Sequence, residues 1–420
     1  MRILNNNYIC AMDISSSKVA AVAARINKQN IAEIFFEMMP AKGVKRGSIT
    51  DSIDLIACIE AVMKNLKLKS GINIKYIYTD FSGQDISTKH SHAIIPLAER
   101  GNKVITLSDI EKVSEQARIL GSSLEEEIID QVPFNYAIDS QHSISNPLGL
   151  YSHRLEVDLY LVCAKLSSIQ TLTRVTNQAG YEIKDLFFSA TSTSYAVFNE
   201  NIKSGVHVLC DIGSDITEIL IFRDGMLKKA EVLPLGGDDL TQELSAALKI
   251  PWELAEDVKR SYASIQDSSR SRGDKEILVK KDNIYKPIKQ SFVIETVTAK
   301  AKLICEAIKK KIEAHVGLAE INNFVVCGRA VYLEGFLEML ENNLGISVKL
   351  GKVTNPGMLS LVHNNSDSRG QKYLSYLTCL GMIYRILNDE QPKMISSSAC
   401  MHHPVFKIIN KFKEVYQEYF

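Results

Sequence analysis

Short apolar runs separated by polar turns occur in two series along this chain, and each series predicts a three-stranded meander. In the first series the runs are Tyr8 to Met12, Val19 to Ile26 and Ile31 to Met38. In the second they are Val208 to Asp211, Glu218 to Phe222 and Met226 to Leu233, with Arg223-Asp224-Gly225 as a hairpin turn. A layout that occurs twice indicates an internal duplication.

Helical periodicity follows each meander. Apolar residues at Ile53, Ile56 and Ile59 form one stripe that predicts a helix from Asp51 to Leu66, and a strand from Ile74 to Phe81 comes next. Further helices are predicted to begin near Ser108 and to span Leu240 to Leu248, Trp252 to Tyr262, and Phe292 to His315 with Gly317 as C-cap. Strands that alternate with helices in this way predict an α/β fold.

Composition narrows the class of protein. The chain has 420 residues, 45% of them hydrophobic, which is enough for two or more domains with their own cores. Lys+Arg and Asp+Glu are equal at 49 each, so we expect no nucleic acid partner. Cys163, Cys210, Cys305 and Cys327 lie in apolar runs without metal spacing, which predicts buried thiols in a reducing cytoplasm. Without a run of about 18 apolar residues, we expect neither export nor a membrane span.

Two carboxylates occupy matching places in the two meanders. Asp13 and Asp211 each end a strand just before small residues that can turn tightly. Such an Asp can hold the water shell of Mg²⁺ while the amides of the turn face phosphate oxygens, although an isolated Asp at this place is more often a simple turn former. The repetition favours the functional interpretation. Ser15 to Ser17 and Thr217 can add hydroxyl donors, and Lys18 can neutralise phosphate charge or remain solvated.

Further motifs extend this pattern along the chain. A third glycine motif consists of Val326-Cys327-Gly328-Arg329 and Leu333-Glu334-Gly335-Phe336. Five other segments are Gly43 to Ile49 with Asp51, Val132-Pro133-Phe134 with Ile138-Asp139, Asn146 to Gly149, Leu235 to Asp238, and Ala255 to Lys259. In order and spacing, nearly the whole chain resembles the FtsA family of bacterial cell-division proteins, within the superfamily of actin, hexokinase and heat-shock chaperone ATPases.

The resemblance implies an actin-like fold of two lobes, built on a duplicated mixed five-stranded sheet with flanking helices. The boundaries expected on this basis are 1–81, 166–203 and 361–395 for the core of the first lobe, 82–165 for an inserted FtsA-type subdomain, 204–240 and 300–360 for the core of the second lobe, 241–299 for its small subdomain, 396–403 for a linker, and 404–420 for a membrane-targeting amphipathic helix.

The resemblance also implies an ATP site with Mg²⁺ held through water by Asp13 and Asp211. The residues expected to bind the nucleotide are Asp13, Ser15, Ser16, Ser17, Lys18, Asp211, Gly213, Ser214, Asp215, Thr217, Gly236, Gly237, Glu256, Lys259, Gly328 and Arg329. Glu256 and Lys259 are expected near the ribose and base. Without the family, they would be interpreted as a surface pair at i, i+3 on a helix.

The sequence departs from the family pattern at several of these positions. Ser15 replaces a usual Gly, Asp215 adds a carboxylate near the phosphates, and Arg329 replaces the second Gly of the third motif. Val297 and Lys300 also stand where relatives often have Arg and Glu. Weaker nucleotide affinity is therefore expected. The segment Phe187 to Tyr195 offers only hydroxyls where the superfamily places a group that orients water, which predicts slow ATP turnover at best.

The C-terminal segment has the spacing of an amphipathic helix that begins after Pro404. Its apolar residues are Val405, Phe406, Ile408, Ile409, Phe412, Val415, Tyr416, Tyr419 and Phe420. Such a stripe is most often core-facing, but this one is terminal, follows the polar linker, and has aromatic and Lys residues suited to a lipid headgroup boundary. FtsA proteins end in such a membrane-targeting helix.

These features predict an ATP-binding, actin-like protein on the cytoplasmic face of the inner membrane at the division site. It is expected to polymerise, to tether FtsZ filaments by binding the FtsZ C-terminal peptide around Ala246 to Gln290, to contact anionic lipid, and to recruit later division proteins through the insert. The alternatives are another actin-like membrane scaffold of the pilus-assembly type, a scaffold that has lost its nucleotide, and a soluble small-molecule kinase of the same superfamily.

Overall fold

The computed structural model describes residues 8–27, 30–98, 101–139, 141–144, 146–198, 202, 204–265, 275–281 and 284–389. These residues group into two compact units. Unit 1 takes the described residues within Met1–Ser204, Phe222–Ala230 and Lys352–Phe420, and unit 2 takes those within Gly205–Ile221 and Glu231–Gly351.

Strands and helices alternate along most of the described chain. The strands are β1 (Tyr8–Ile14), β2 (Lys18–Asn27), β3 (Asn30–Pro40), β4 (Val44–Lys45), β5 (Ser48–Ile49), β6 (Tyr76–Phe81), β7 (Ile86–Pro96), β8 (Lys103–Val104), β9 (Glu126–Ile138), β10 (Gln141–Ile144), β11 (Tyr151–Ser152), β12 (Arg154–Lys165), β13 (Glu182–Phe188), β14 (Val206–Ile212), β15 (Thr217–Arg223), β16 (Met226–Leu233), β17 (Glu276–Lys281), β18 (Ile284–Lys289), β19 (Ile321–Cys327) and β20 (Val348–Leu350). The α-helices are α1 (Ser52–Ser70), α2 (Leu107–Gly121), α3 (Leu166–Gln178), α4 (Ser189–Val197), α5 (Gly237–Leu248), α6 (Trp252–Tyr262), α7 (Gln290–Glu313), α8 (Phe336–Leu344), α9 (Pro356–Asn364) and α10 (Leu377–Asp389).

The core sheet of unit 1 is mixed, with the strand order β13-β6-β1-β2-β3. β1 runs antiparallel to β2 and parallel to β6, so the carboxyl ends of β1 and β6 lie at the same edge of the sheet. Both faces of β1 and β2 are covered, because Ile9 to Met12 and Val19 to Ala24 are fully buried. α1 begins where the Asp51 carboxylate accepts from the amides of Ile53 and Asp54, and it ends at Gly71 in the left-handed region.

A second sheet in unit 1 forms the insert, with the order β10-β9-β12-β7. One face packs under α2 through alternate residues such as Ala93, Leu155 and Leu159. The N-terminus of α2 is closed by a capping box between Thr106 and Asp109. Burial tends to raise the pKa of the Asp109 carboxyl, but hydrogen bonds from Thr106 and Lys103 lower it to about 2.

Buried polar contacts fix the insert to the rest of unit 1. Arg385 of α10 donates two hydrogen bonds, of 2.8 and 2.9 Å, to the Asp130 carboxylate of β9, and both side chains are almost fully buried. Thr191 of α4 donates to the same carboxylate. The Tyr160 hydroxyl of β12 accepts from the Ala230 amide at 2.8 Å.

The core sheet of unit 2 has the order β16-β15-β14-β19-β20, with β14 parallel to β19, although Met226 to Ala230 of β16 are grouped with unit 1. Its hydrophobic core joins this sheet to α5, α7 and α8 through residues such as Leu244, Val297 and Phe336. The duplicated five-stranded sheets confirm the predicted α/β fold class, and Cys163, Cys210, Cys305 and Cys327 are buried free thiols as predicted.

Two local predictions were wrong. Gly317 is not the C-cap of α7, because that helix ends at Glu313 and Gly317 has φ −66 at the start of a short 3₁₀ helix, Leu318–Glu320. α5 starts at Gly237 rather than Leu240, since the Asp239 side chain accepts from the Gly236 amide and closes the first turn earlier. The linker 396–403 and the amphipathic helix 404–420 lie outside the described residues.

Candidate functional site

The turn that follows β1, which we call the first turn (Asp13 to Lys18), carries several predicted site residues of unit 1. The Ser15 amide and hydroxyl both bond to the Lys18 carbonyl oxygen, at 3.0 and 3.1 Å, which closes the turn. Among the described residues, no hydrogen bond is found to the amides of Ser16 and Ser17, and the buried Ser16 hydroxyl also has no partner. These donors suit an anion such as a phosphate.

A salt bridge joins the first and last residues of the first turn. The Lys18 ammonium lies 2.7 Å from the Asp13 carboxylate, with 12% and 5% of the two side chains exposed. Lys18 also donates to the backbone carbonyl of Ser375. The structure therefore places Lys18 against Asp13, whose charge it neutralises, and not on a solvated strand end.

Asp80 is a site-adjacent carboxylate that sequence reasoning missed. It lies near the end of β6, is 3% exposed, and accepts from the Ile14 amide at 3.3 Å. Burial and the negative charge of Asp13 raise its pKa well above the usual range, while a hydrogen bond from Ser189 acts in the opposite direction. The parallel pairing of β1 with β6 brings the two acids together, and an isolated Asp in the run Tyr76–Phe81 gave no signal of it.

The segment expected to orient water forms α4, which is buried in unit 1. Its hydroxyls have partners inside the protein: Ser189 donates to Asp80, Thr191 to Asp130, Ser192 to the Phe188 carbonyl at 3.0 Å and Ser194 to the Thr191 carbonyl at 2.6 Å. Hydroxyls already engaged in this way are poorly placed to activate a water molecule.

Unit 2 contains the matching second turn (Asp211 to Thr217), which follows β14. The Gly213 amide donates to the Ile216 carbonyl at 2.9 Å and closes this turn. Among the described residues, no hydrogen bond is found to the amides of Ser214 and Ile216. Thr217 is fully buried and donates to the Leu235 carbonyl at 2.7 Å, so its hydroxyl supports the neighbouring segment and does not face outward.

Glycines let three backbone segments of unit 2 come together. The Gly237 amide donates to Gly213 at 3.0 Å, and a Cβ on Gly236 would lie 2.6 Å from the Ser214 carbonyl oxygen. Gly328 has φ +92, and a Cβ there would overlap the Ile212 carbonyl oxygen. The second turn, the N-terminus of α5 and the third motif thus form one backbone cluster, with the helix N-terminus suited to anions.

Glu256 and Lys259 lie beside this cluster. The Lys259 ammonium donates to the Gly237 carbonyl at 2.9 Å and to the Thr241 hydroxyl at 2.6 Å, and it pairs with Glu256 at 2.6 Å. Only 12% and 14% of the Lys259 and Glu256 side chains are exposed, so the alternative of a surface pair does not hold. Thr241 was missed from the sequence because its role appears only once α5 and α6 pack together.

Acidic side chains gather at the same N-terminus of α5. The pKa of the Asp238 carboxyl is raised to about 6, mainly by burial and also by the negative charges of Asp215, Glu256 and Asp239, while Lys259 acts in the opposite direction. Arg329 is exposed and within electrostatic range of Glu256 and Asp238. Asp215 is 7% exposed. The structure thus places Asp215 and Arg329 within one charged group around the backbone cluster.

Comparisons with known proteins identify the family. A family model described as "Cell division protein FtsA" matches residues 208–375, and a second, described as "SHS2 domain inserted in FTSA", matches residues 83–163. The chain belongs to the FtsA family. It is 23% identical over 379 residues to the cell division protein FtsA of Pseudomonas aeruginosa, a match that covers 89% of this chain and 90% of that relative.

Solved structures support an actin-like fold for this FtsA-family chain. One is the PilM-PilN type IV pilus biogenesis complex, with a TM-score of 0.61, 15% identity, and coverage of 90% of this chain and 98% of that one. Another is MreB5 of Spiroplasma citri bound to ADP, with a TM-score of 0.53, 11% identity, and coverage of 92% and 99%. At such identities the likeness concerns the fold alone.

Proposed function

We propose that this protein works in cell division as an actin-like, ATP-binding protein that polymerises and tethers FtsZ filaments to the inner face of the cytoplasmic membrane. Membership of the FtsA family is the observation that carries the proposal. In this role the insert, residues 82–165, recruits later division proteins, and the region around Ala246 to Gln290 binds the FtsZ C-terminal peptide.

ATP with Mg²⁺ is the proposed ligand of the two turns. Each turn begins with an Asp that is the next-to-last residue of its strand. Each also has two amides without a hydrogen bond among the described residues, Ser16 and Ser17 in the first turn and Ser214 and Ile216 in the second. These donors fit phosphate groups, and Asp13 and Asp211 are the residues proposed to hold a metal through water. Glu256, Lys259 and Arg329 are the side chains proposed to contact the adenosine, and Gly236, Gly237 and Gly328 allow close backbone approach.

Attachment to the membrane is proposed for the segment 404–420. No helix among the described residues is both long and apolar enough to cross a bilayer. We propose that the helix after Pro404 instead lies in the headgroup region of anionic lipid, held mainly by its apolar residues. Many copies along a filament would provide avidity for this weak contact.

The experiment combines lipid and peptide binding. The full chain is expected to sediment with vesicles of anionic phospholipid, and a chain truncated before Pro404 is expected to stay in the supernatant with an unchanged circular dichroism spectrum. Phe412→Glu should abolish sedimentation, while the matched variant Lys413→Glu should keep most of it. In parallel, fluorescence anisotropy should show binding of a labelled FtsZ C-terminal peptide to the full chain.

The peptide measurement also separates the proposed function from a pilus-type scaffold, the class suggested by the likeness to the PilM-PilN complex. Unchanged sedimentation of the truncated chain would contradict the membrane assignment. Failure of the peptide to bind at about 100 μM, a concentration well above that of ordinary transient complexes, would contradict the tether.

A further inference from the structure

Asp80 differs from Asp130, another buried acid of unit 1, in the charge of its neighbours. Asp130, also beside α4, is neutralised by two hydrogen bonds from Arg385. The charge that acts most on Asp80 is instead the negative charge of Asp13. Burial of one acid beside another is unfavourable, so its contacts must offset a substantial cost.

The contacts of Asp80 lead to the first turn. Its carboxylate accepts from the amide of Ile14, the residue between Asp13 and Ser15. It also accepts a hydrogen bond from Ser189, the first residue of α4. The carboxylate thus connects the backbone at the start of the turn to the end of a buried helix that packs against α10.

Fixing Ile14 has a direct effect on the donors that follow it. With the Ile14 amide directed at Asp80, the peptide plane between Asp13 and Ile14 is fixed at the start of the turn. The amides of Ser16 and Ser17, which have no hydrogen bond among the described residues, lie two and three residues later. Donors held in place before a ligand arrives need not be ordered on binding, which raises affinity.

We propose that Asp80, together with Ser189, is a positioning pair that holds the first turn in the conformation that receives the phosphates of the nucleotide. This inference rests on the proposed ATP site and adds to it a residue that the sequence motifs do not contain. In this role Asp80 is a positioning residue that acts through the Ile14 amide.

The test measures ATP affinity by isothermal titration calorimetry on the full chain, with and without Mg²⁺. Asp80→Ala is expected to weaken ATP binding about tenfold, and Ser189→Ala about threefold, both with and without Mg²⁺. Asp80→Asn should bind ATP as tightly as the wild type or more tightly, because the amide oxygen still accepts from Ile14 and the negative charge is gone.

Ser192→Ala is the matched control for Ser189→Ala. Ser192 is also buried on α4, but its hydroxyl donates to the carbonyl of Phe188, the N-cap of the helix, and not to Asp80. It should leave ATP affinity within twofold of the wild type. Hydrogen exchange of the Ile14 amide in nucleotide-free protein gives a second readout, and it should be about tenfold faster in Asp80→Ala.

An Asp80→Ala variant with wild-type affinity and wild-type Ile14 exchange would overturn the inference. A loss confined to samples with Mg²⁺ would also overturn it, because Asp80 would then act on the metal and not on the turn. If the wild type itself binds no ATP, the proposed ATP site is contradicted. If the wild type binds ATP and Asp80→Ala binds it equally well, only the positioning role of Asp80 is contradicted.

Discussion

The two turns have the same layout but are held in different ways. In unit 1, charged side chains hold the first turn: Lys18 pairs with Asp13 at 2.7 Å, and Asp80 accepts from the Ile14 amide. In unit 2, backbone packing holds the second turn, since Gly236 and Gly328 lie where no side chain fits. A duplicated motif can therefore keep its geometry while the forces that stabilise it diverge.

The difference explains why the departures from the family pattern occur where they do. The first turn tolerates Ser15 because its backbone is closed by a bond to the Lys18 carbonyl and needs no close approach. The second turn keeps Gly213, because a Cβ there would lie 3.0 Å from the Ile216 carbonyl oxygen. Arg329, which replaces an expected Gly, is accommodated because its side chain is exposed.

The largest loss of stability is expected when a methyl group is added to the backbone cluster of unit 2. Gly328→Ala should destabilise unit 2 by about 3 kcal/mol or more, because it adds both an unfavourable positive φ and an overlap with the Ile212 carbonyl. The chain has one tryptophan, Trp252 in α6, so its fluorescence during urea unfolding reports on unit 2.

Gly345→Ala is the matched control for this comparison. Gly345 also has a positive φ, +70, but nothing lies within 4 Å of its added Cβ. It should cost only about 1 kcal/mol, the backbone part of the effect. Equal costs for the two substitutions would show that packing around Gly328 does not stabilise the second turn.

An intermediate loss of stability is expected when the positive charge of the first turn is removed. Lys18→Met leaves the Asp13 carboxylate buried without its cation, and should destabilise nucleotide-free unit 1 by about 2 kcal/mol. Lys69→Met removes a more exposed Lys, 41% of whose side chain is accessible, and should cost less than about 1 kcal/mol. Far-UV circular dichroism reports on both units during thermal melting, whereas Trp252 fluorescence reports on unit 2 alone. Lys18→Met should therefore lower the melting midpoint measured by circular dichroism more than the midpoint measured by Trp252 fluorescence.

The smallest effect concerns Asp238, whose pKa is raised to about 6, mainly by burial, from the usual value of 3.8. The folded state of the wild type holds its proton more tightly than the unfolded state, so this contribution to stability is complete below about pH 4 and is lost as the pH rises through about 6. Asp238→Asn should therefore weaken the decline in unit 2 stability between pH 4 and 7, and should stabilise unit 2 by about 1 kcal/mol at pH 7. The urea midpoint, followed by Trp252 fluorescence at each pH, measures the stability of unit 2. Parallel pH profiles of the wild type and Asp238→Asn would contradict the prediction.

Alternation and helical spacing predicted the elements around both turns. The helix expected at Trp252 to Tyr262 has those bounds, and the strands on either side of Asp13 and Asp211 are found with small shifts at their ends. These features depend on local patterns of burial, which the sequence carries directly. The end of α7 was misplaced because Gly317 was interpreted from residue type, whereas the chain leaves the helix at Ala314.

The contacts that shape the candidate site could not be predicted, because they join residues far apart in the chain. Asp80 reaches Ile14 only through the parallel pairing of β6 with β1, and Lys259 reaches Gly237 only once α6 packs on α5. The Thr217 hydroxyl was expected to donate to phosphates, but it donates to the Leu235 carbonyl. Sequence spacing identifies which residues are near a turn, and the tertiary fold decides which of their atoms remain available.

The proposal tested most directly is that this protein binds ATP and that Asp13 of the first turn and Asp211 of the second turn each contribute to binding. Isothermal titration calorimetry with ATP and Mg²⁺ tests it most directly on the wild type, Asp13→Ala, Asp211→Ala and the double variant. We predict that the wild type binds ATP and that each single variant loses at least tenfold in affinity, because each removes a carboxylate proposed to hold Mg²⁺. The double variant should bind no more tightly than either single variant. No heat with the wild type at millimolar ATP, or wild-type affinity in either single variant, would contradict it.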